Sequence, residues 1–290
     1  MKKWLLVPVA LVIIGGICFL LLFKRSFSKT VVSACTIAGA DRCFEDVAAW
    51  DKWWPKNSGC GYKIEGVYYN DIRLSIRCAD GSTLSGDMRL APLTQDSILI
   101  NWRCRLPLLS RDKEIQRTVS TVLEAFKIFV EDSRNIYSGI NFFRTMSRNA
   151  TLVALTSTGT AYPTTAEVYA KIDSLRKYII SRNAAAIDSP MLNVSKVSGT
   201  QFKMTVAIAV NKQLLGDGRI SNLNFVPWKM LEGAVHGGVY TVEEAFEEMQ
   251  KFKIDNNISI MALPYQSLIT DRRKEQDTTK WVTIICAPVS

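Results

Sequence analysis

TLVALTSTGTAYPTTAE at residues 151–167 and KMLEGAVHGGVYTVEE at residues 229–244 are two versions of one pattern. Each version has an apolar run, a turn that ends in tyrosine, and a Thr-x-x-Glu sequence ahead of an amphipathic segment. The repeat predicts two strand-turn-helix-strand-strand units, at about residues 150–211 and 228–290. Because neither unit buries its apolar face alone, the two should pack against each other, and a groove between them is a natural place for a ligand.

The spacing between the two copies is nearly constant. His236 follows Thr158 by 78 residues and Thr241 follows Thr164 by 77, so Pro163 accounts for the one-residue difference. Both Thr-x-x-Glu sequences have the form of a capping box, in which the threonine hydroxyl and the glutamate side chain bind each other's backbone N–H groups. The sequence therefore predicts that each helix begins at its threonine.

An uncharged run precedes both repeats, at the N-terminus. Residues from Trp4 to Phe23 hold no charged side chain and are flanked on both sides by basic residues. This length suits a bilayer-spanning helix, so residues 1–28 are predicted to be an N-terminal transmembrane anchor, with a cleaved signal peptide as the alternative. The predicted location is a single-pass membrane protein with its domains outside the cytoplasm. A location of the domains on the cytoplasmic side is the alternative, since basic residues flank both ends of the uncharged run.

Cysteine, histidine and charge limit the chemistry. Six of the seven cysteines lie outside the predicted anchor, an even number that suits disulfides in an oxidising compartment, whereas buried reduced thiols are the alternative. The chain has one histidine and no CxxC pair, so we expect no metal and no cofactor. The net charge is +9, but no basic run is interleaved with aromatic residues and no recognition-helix motif occurs. We therefore expect no direct nucleic acid binding.

Residues 29–147 form the first predicted domain. Strand-like runs separated by short turns lie between Tyr62 and Arg105, which favours an antiparallel meander, and a long amphipathic helix follows at Arg111 to Glu131. An aromatic turn with three tryptophans, at residues 50–55, comes before the strands and is expected to be a structural corner. This order of elements resembles the START-related polyketide-cyclase superfamily. The resemblance implies a helix-grip fold with an apolar cavity.

The second predicted domain, residues 148–290, carries more specific motifs. They are GGVY at residues 237–240, LPYQSLITD at residues 263–271 and KWVTIICAPV at residues 280–289. Together they resemble the gyrase-inhibitor-like family of bacterial proteins, also known as the AraC-type effector-binding domain. The resemblance implies a duplicated α/β fold with a central groove that takes bulky aromatic or cationic small molecules, which some members hydrolyse.

The chain departs from this family at the centre of the expected groove. A glutamate followed two residues later by a tyrosine is common there, and the matching residues are Gln266 and Leu268. An amide side chain forms hydrogen bonds but supplies neither a negative charge nor a base at neutral pH. Glu232, on a predicted strand of the second copy, is the candidate replacement, with a solvated strand residue as the alternative.

Seven residues are predicted to line the groove, because aromatic walls with few polar groups are typical of small-molecule sites. They are Tyr162, Trp228, Glu232, Tyr240, Tyr265, Gln266 and Trp281. For each aromatic residue, an ordinary place in the core is the alternative. No catalytic residue is predicted, since no serine or cysteine has an evident base partner.

The predicted fold class is therefore α+β: a transmembrane helix, a helix-grip antiparallel sheet domain, and a duplicated α/β domain with a central groove. The predicted function is membrane-tethered binding or sensing of a hydrophobic or aromatic small molecule, with the membrane as a second partner. The alternatives are a hydrolase of reactive or lipid-like compounds that uses Glu232 or a water held by Gln266, and an interaction protein without a ligand. The amide at Gln266 favours binding over catalysis.

Overall fold

The computed structural model describes residues 24–107, 112–148 and 150–290. The chain divides into two compact units, of which the first ends at Ile136 and the second runs from Tyr137 to Ser290. This division comes earlier than the predicted boundary after residue 147. The reason is that residues 142–146 form a strand of the second unit's sheet.

The first unit is an antiparallel sheet with one long helix. Its strands lie in the order β1-β5-β4-β3-β2, and every neighbouring pair is antiparallel, so the predicted meander is confirmed. The elements are β1 (Lys24–Ser33), α1 (Ile37–Glu45), α2 (Val47–Trp53), a short 3-10 helix (Lys56–Ser58), β2 (Cys60–Tyr68), β3 (Asp71–Cys78), β4 (Thr83–Thr94), β5 (Ser97–Pro107), α3 (Asp112–Glu131) and α4 (Ser133–Ile136).

The core of the first unit forms between α3 and the sheet. The buried stripe of α3 includes Val119, Leu123 and Phe126, as its helical spacing predicts. The aromatic turn belongs to the same core: Trp50 donates from Nε1 to the Phe44 carbonyl oxygen at 2.8 Å, and all three of its tryptophans are buried. The predicted structural corner is therefore confirmed.

The cysteines include both a disulfide and buried free thiols, which are the two alternatives that the sequence left open. Cys60 and Cys78 face each other across β2 and β3 and form a disulfide. Cys35 and Cys43 are buried free thiols, and burial raises the pKa of each to about 11. One cross-strand bridge thus joins the edge strand β2 to its neighbour.

The membrane element of the prediction is wrong. No helix within residues 24–107, 112–148 and 150–290 is long and apolar enough to cross a bilayer. This finding overturns both the transmembrane helix in the predicted fold class and the predicted membrane-anchored, single-pass location. The run from Trp4 to Phe23, on which both rest, lies outside the described residues. The predicted anchor at residues 1–28 also overlaps β1, which pairs with β5 from Lys24 onward.

The second unit is an eight-stranded sheet with two long helices. Its strand order is β10-β7-β9-β8-β12-β13-β11-β6, and all neighbours are antiparallel. The elements are β6 (Phe142–Met146), β7 (Ala150–Gly159), α5 (Thr165–Ser181), β8 (Met191–Ser198), β9 (Gln201–Val210), β10 (Ser221–Phe225), β11 (Lys229–His236), α6 (Val239–Asp255), β12 (Tyr265–Leu268), a short 3-10 helix (Thr278–Lys280) and β13 (Val282–Pro288).

The two predicted repeats are visible in this order. Strands β7, β9 and β8 with α5 form one repeat, and β11, β13 and β12 with α6 form the other. The repeats meet where β8 pairs with β12, with Leu192 opposite Gln266 and Met191 opposite Ser267. The sheet thus contains two units with the same order of strands and helix.

Two edge strands extend the repeat beyond what the sequence predicts. Strand β6 precedes the first repeat but pairs with β11 of the second, and β10 precedes the second repeat but pairs with β7 of the first. Each repeat therefore begins with a short strand that completes the other half of the sheet.

The two helices begin differently. Thr164 caps α5, with both hydrogen bonds of the predicted capping box to Glu167. The second predicted box is wrong, because α6 begins at Val239, after Gly238, and Thr241 lies inside its first turn. Pro163 explains the difference, since a proline biases the residue before it toward extended backbone, and the second copy has no proline there.

Both helices cover the same face of the sheet. Leu192 on β8 packs in the core under α5, and it lines a cavity together with Phe246 of α6. The space over β8 and β12, between the two helices, is therefore the groove that the repeat predicts.

A disulfide variant tests the first unit. Replacing both Cys60 and Cys78 by serine should lower the free energy of unfolding of this unit by about 3 kcal/mol, because the bridge restricts the unfolded chain. Urea unfolding followed by tryptophan fluorescence measures the loss. As a control, a reducing agent should shift the wild-type midpoint toward that of the variant and leave the variant unchanged. An unchanged wild-type midpoint after reduction contradicts the assigned bridge.

Candidate functional site

The groove between α5 and α6 holds two adjoining cavities. The first has a volume of about 510 Å³ and lies toward the N-terminal ends of both helices. The second, of about 380 Å³, lies further along α6, over β8 and β12. Leu192 lines both, so the two cavities meet at the seam between the repeats.

Aromatic rings form much of the wall of the first cavity. Tyr162 and Phe202 meet edge to face, with their ring centroids 5.9 Å apart. Tyr169 is buried beside them in α5, whereas Tyr240 stands at the mouth with 82% of its surface exposed. Tyr162 and Tyr240, which end the corresponding segments of the two sequence copies, thus line one cavity.

A buried arginine lines the same cavity. Arg272 follows β12 and is only 9% exposed. Its Nη2 donates to Thr283 Oγ1 at 2.9 Å, and its guanidinium lies over the Trp281 ring, 5.0 Å from the centroid. The backbone is fixed as well, because the Arg272 N–H donates to Tyr169 Oη at 2.8 Å while that hydroxyl donates to the Thr270 carbonyl oxygen at 3.1 Å. The guanidinium is therefore held from several sides.

No carboxylate in the described part of the chain forms an ion pair with Arg272. Burial lowers the pKa of its guanidinium, but arginine stays charged in proteins at neutral pH. The next residue is different, since Arg273 is exposed and binds Asp271 at 3.1 Å and Asp173 at 2.7 Å. Glu243 also lines the cavity, but its side chain is in the exposed first turns of α6.

Gln266 lies at the junction of the two cavities. It is 6% exposed and lines the second cavity with Phe246 and Gln250 of α6. Burial raises the pKa of Tyr162, and the interaction with the Gln266 amide opposes part of the rise. The amide thus reaches Tyr162 in the first cavity while it faces the second.

Two of the predicted lining residues lie on the opposite face of the sheet. Tyr265 and Gln266 are neighbours on β12, so their side chains point to opposite faces. Tyr265 and Glu232 are each paired with Cys286 of β13 and therefore share its face. Glu232 accepts a hydrogen bond from Thr145 Oγ1 at 2.8 Å. It does not replace the carboxylate missing at Gln266.

The two predicted tryptophans are also outside the cavities. Trp228 precedes β11, is 39% exposed and donates from Nε1 to the Val289 carbonyl oxygen at 2.8 Å. Trp281 is buried behind Arg272 and donates from Nε1 to the Glu275 carbonyl oxygen at 2.8 Å. Of the seven predicted residues, the structure therefore brings together Tyr162, Tyr240 and Gln266, with Trp281 supporting Arg272.

Three further residues line the first cavity although the sequence did not predict them there: Arg272, Tyr169 and Phe202. Two adjacent arginines after a strand look like a solvated loop, so nothing in Arg272 and Arg273 themselves distinguishes the buried one. Phe202 did carry a signal, because alternation along β9 places it on the same face as the core residue Met204.

Comparisons with known proteins find distant structural neighbours. No protein-family model and no curated protein matches the chain. Among solved structures, the chain is similar to the C-terminal domain of EcmrR, with 14% identity over 52% of this chain and 98% of that one, at a TM-score of 0.46. It is also similar to an uncharacterized conserved protein from Listeria innocua, with 10% identity over 52% of this chain and 92% of that one, at a TM-score of 0.41.

A third neighbour is SAV2435 bound to tetraphenylphosphonium, with 13% identity over 52% of this chain and 94% of that one, at a TM-score of 0.34. These similarities are consistent with the predicted effector-binding part of the resemblance. The START-related part of the resemblance stays a prediction. All three are too distant to indicate the function of this chain.

The hydrogen bond from the Arg272 backbone N–H to the Tyr169 hydroxyl can be tested by mutation. Tyr169→Phe removes a buried hydroxyl that makes two hydrogen bonds, so the second unit should lose about 2 kcal/mol of unfolding free energy. Denaturant unfolding followed by circular dichroism measures this loss. Tyr240→Phe is the matched control, because Tyr240 is exposed, and it should change stability by less than about 0.5 kcal/mol. Equal effects of the two variants contradict the assigned role of Tyr169.

Proposed function

We propose that the second unit binds a small molecule with an aromatic or apolar body in the groove between α5 and α6. The observation that carries the proposal is the aromatic-walled cavity of about 510 Å³ that adjoins one of about 380 Å³. Small-molecule sites have volumes of roughly 300–1,000 Å³ and combine apolar walls with a few polar groups. Both cavities are within that range.

Two of the polar side chains that line the groove are buried. Gln266 is buried at the junction of the cavities, and Arg272 is buried against Trp281. A ligand between the helices would contact residues of both repeats, since Tyr162 belongs to the first and Tyr240 to the second. Such a ligand would stabilise the seam where β8 meets β12.

We do not propose the hydrolase that the sequence left as an alternative. It depends on Glu232 or on a water activated at Gln266. Glu232 faces away from the groove, and an amide takes no proton from water at neutral pH. Ligand binding requires no general base in the groove.

Ligand-induced stabilisation tests the proposal. The full chain should be heated with a panel of neutral and charged aromatic compounds of one to three rings, among them 1-naphthylmethanol. A compound present at about 100 times its dissociation constant should raise the melting temperature of the second unit by about 5 °C or more. If no member of the panel, neutral or charged, raises it, the proposal is wrong.

A pair of variants then locates the site. Tyr162→Ala removes one wall of the first cavity and should weaken binding of the panel's best ligand about tenfold, the effect of losing one aromatic contact. Trp228→Ala removes an aromatic ring outside both cavities and should leave the affinity unchanged within about twofold. Isothermal titration calorimetry measures both. Equal losses in the two variants place the ligand elsewhere.

A further inference from the structure

We propose that the ligand carries a carboxylate group and that Arg272 binds this group inside the first cavity. The inference rests on the proposed function and specifies its ligand class: an organic acid with an aromatic or apolar body. It reverses the charge preference implied by the family resemblance, in which the groove takes cations.

The first support is the state of the Arg272 side chain. A guanidinium has five N–H donors, and in this structure one of its side-chain hydrogen bonds is made, from Nη2 to Thr283. The guanidinium also lies over the face of Trp281, which supplies no negative charge. A buried charge is costly unless it is paired and hydrogen-bonded. An anion in the cavity would supply both the counter-charge and the missing acceptors.

The second support is the geometry of the group. The planar fork of arginine matches a carboxylate through two parallel hydrogen bonds, which is the arrangement that makes such pairs strong. Stacking on Trp281 and the bond to Thr283 already fix the plane of the guanidinium. The conformational entropy of this long side chain is therefore lost when the protein folds. Ligand binding does not incur that loss again.

The third support is the distribution of carboxylates around the groove. Position 266, at the junction of the two cavities, carries a neutral amide. The acidic side chains that line the cavities are Glu243 and Glu247, and both are exposed to solvent on α6. Water and salt screen such exposed charges, whereas Arg272 acts at short range inside the cavity. Arg272 is therefore the buried charge that lines the first cavity, while the two acids lie at exposed positions of α6.

Three ligands of one shape separate the charge preference from binding itself. The full chain is titrated by calorimetry at pH 7.5 with 1-naphthoate, 1-naphthylmethanol and 1-naphthylmethylammonium, which share a ring system and differ in charge. Naphthoate should bind about 10- to 100-fold more tightly than the alcohol, as expected for hydrogen bonds to a charged group. The ammonium compound should bind most weakly.

Variants then assign the preference to one residue. Arg272→Gln should weaken naphthoate binding about 10- to 100-fold and leave the affinity for the alcohol within about twofold. Arg272→Lys, which keeps the charge but loses the fork, should give an intermediate affinity. Lys274→Gln is the charge control, because Lys274 is an exposed cation in the same loop and lines neither cavity. It should leave the affinity for naphthoate unchanged.

The outcomes distinguish the two proposals. If the alcohol binds and naphthoate binds no more tightly, the carboxylate inference is wrong while the proposed binding function stands. The inference is equally wrong if the ammonium compound binds best, or if Arg272→Gln and Lys274→Gln weaken naphthoate equally. If none of the three compounds binds and the wider panel also fails, both proposals are wrong. The wild-type comparison of the three ligands decides the inference even if Arg272→Gln fails to fold.

Discussion

The second unit depends on a short contact between β8 and β12. Two residue pairs, Leu192 with Gln266 and Met191 with Ser267, join the repeats into one sheet. The contact is reinforced at both ends: the Leu268 N–H donates to the Pro190 carbonyl oxygen at 2.9 Å, and Asn193 donates from Nδ2 to the Pro264 carbonyl oxygen at 2.7 Å. Both helices lie on the same face, so this one seam also sets the width of the groove above it and the position of Gln266 within it.

Strand alternation explains which site predictions agree with the structure. The repeat in the sequence was sufficient to predict the order of strands and helices, because each copy carries the same apolar pattern. It was not sufficient to orient side chains on β11 and β12, since a shift of one residue reverses the face. Tyr162 precedes α5 and Tyr240 lies in the first turn of α6, and both were predicted to line the groove. Glu232 and Tyr265 lie within strands and point away from it.

The features that sequence reasoning missed depend on contacts between distant residues. The buried Arg272 differs from the exposed Arg273 because Tyr169, about a hundred positions earlier, binds its backbone N–H. The edge strands β6 and β10 have only five residues each and pair with partners in the other repeat, so they carry no local signal stronger than that of a loop. The start of α6 was misplaced for a different reason: the Thr-x-x-Glu pattern is present, but no proline holds the preceding residues extended.

The exchange of β6 and β10 also bears on how this fold relates to assemblies of smaller chains. Each half of the sheet is completed by the leading strand of the other half, which is the same exchange of an identical element by which two separate protomers form a swapped dimer. The second unit is therefore equivalent to a two-fold symmetric dimer whose subunits are joined end to end. Because the two copies lie in one chain, their sequences can differ, which is impossible in a dimer of identical chains. One copy can therefore hold Arg272 and Gln266 at the shared groove while the corresponding positions of the other copy carry different residues.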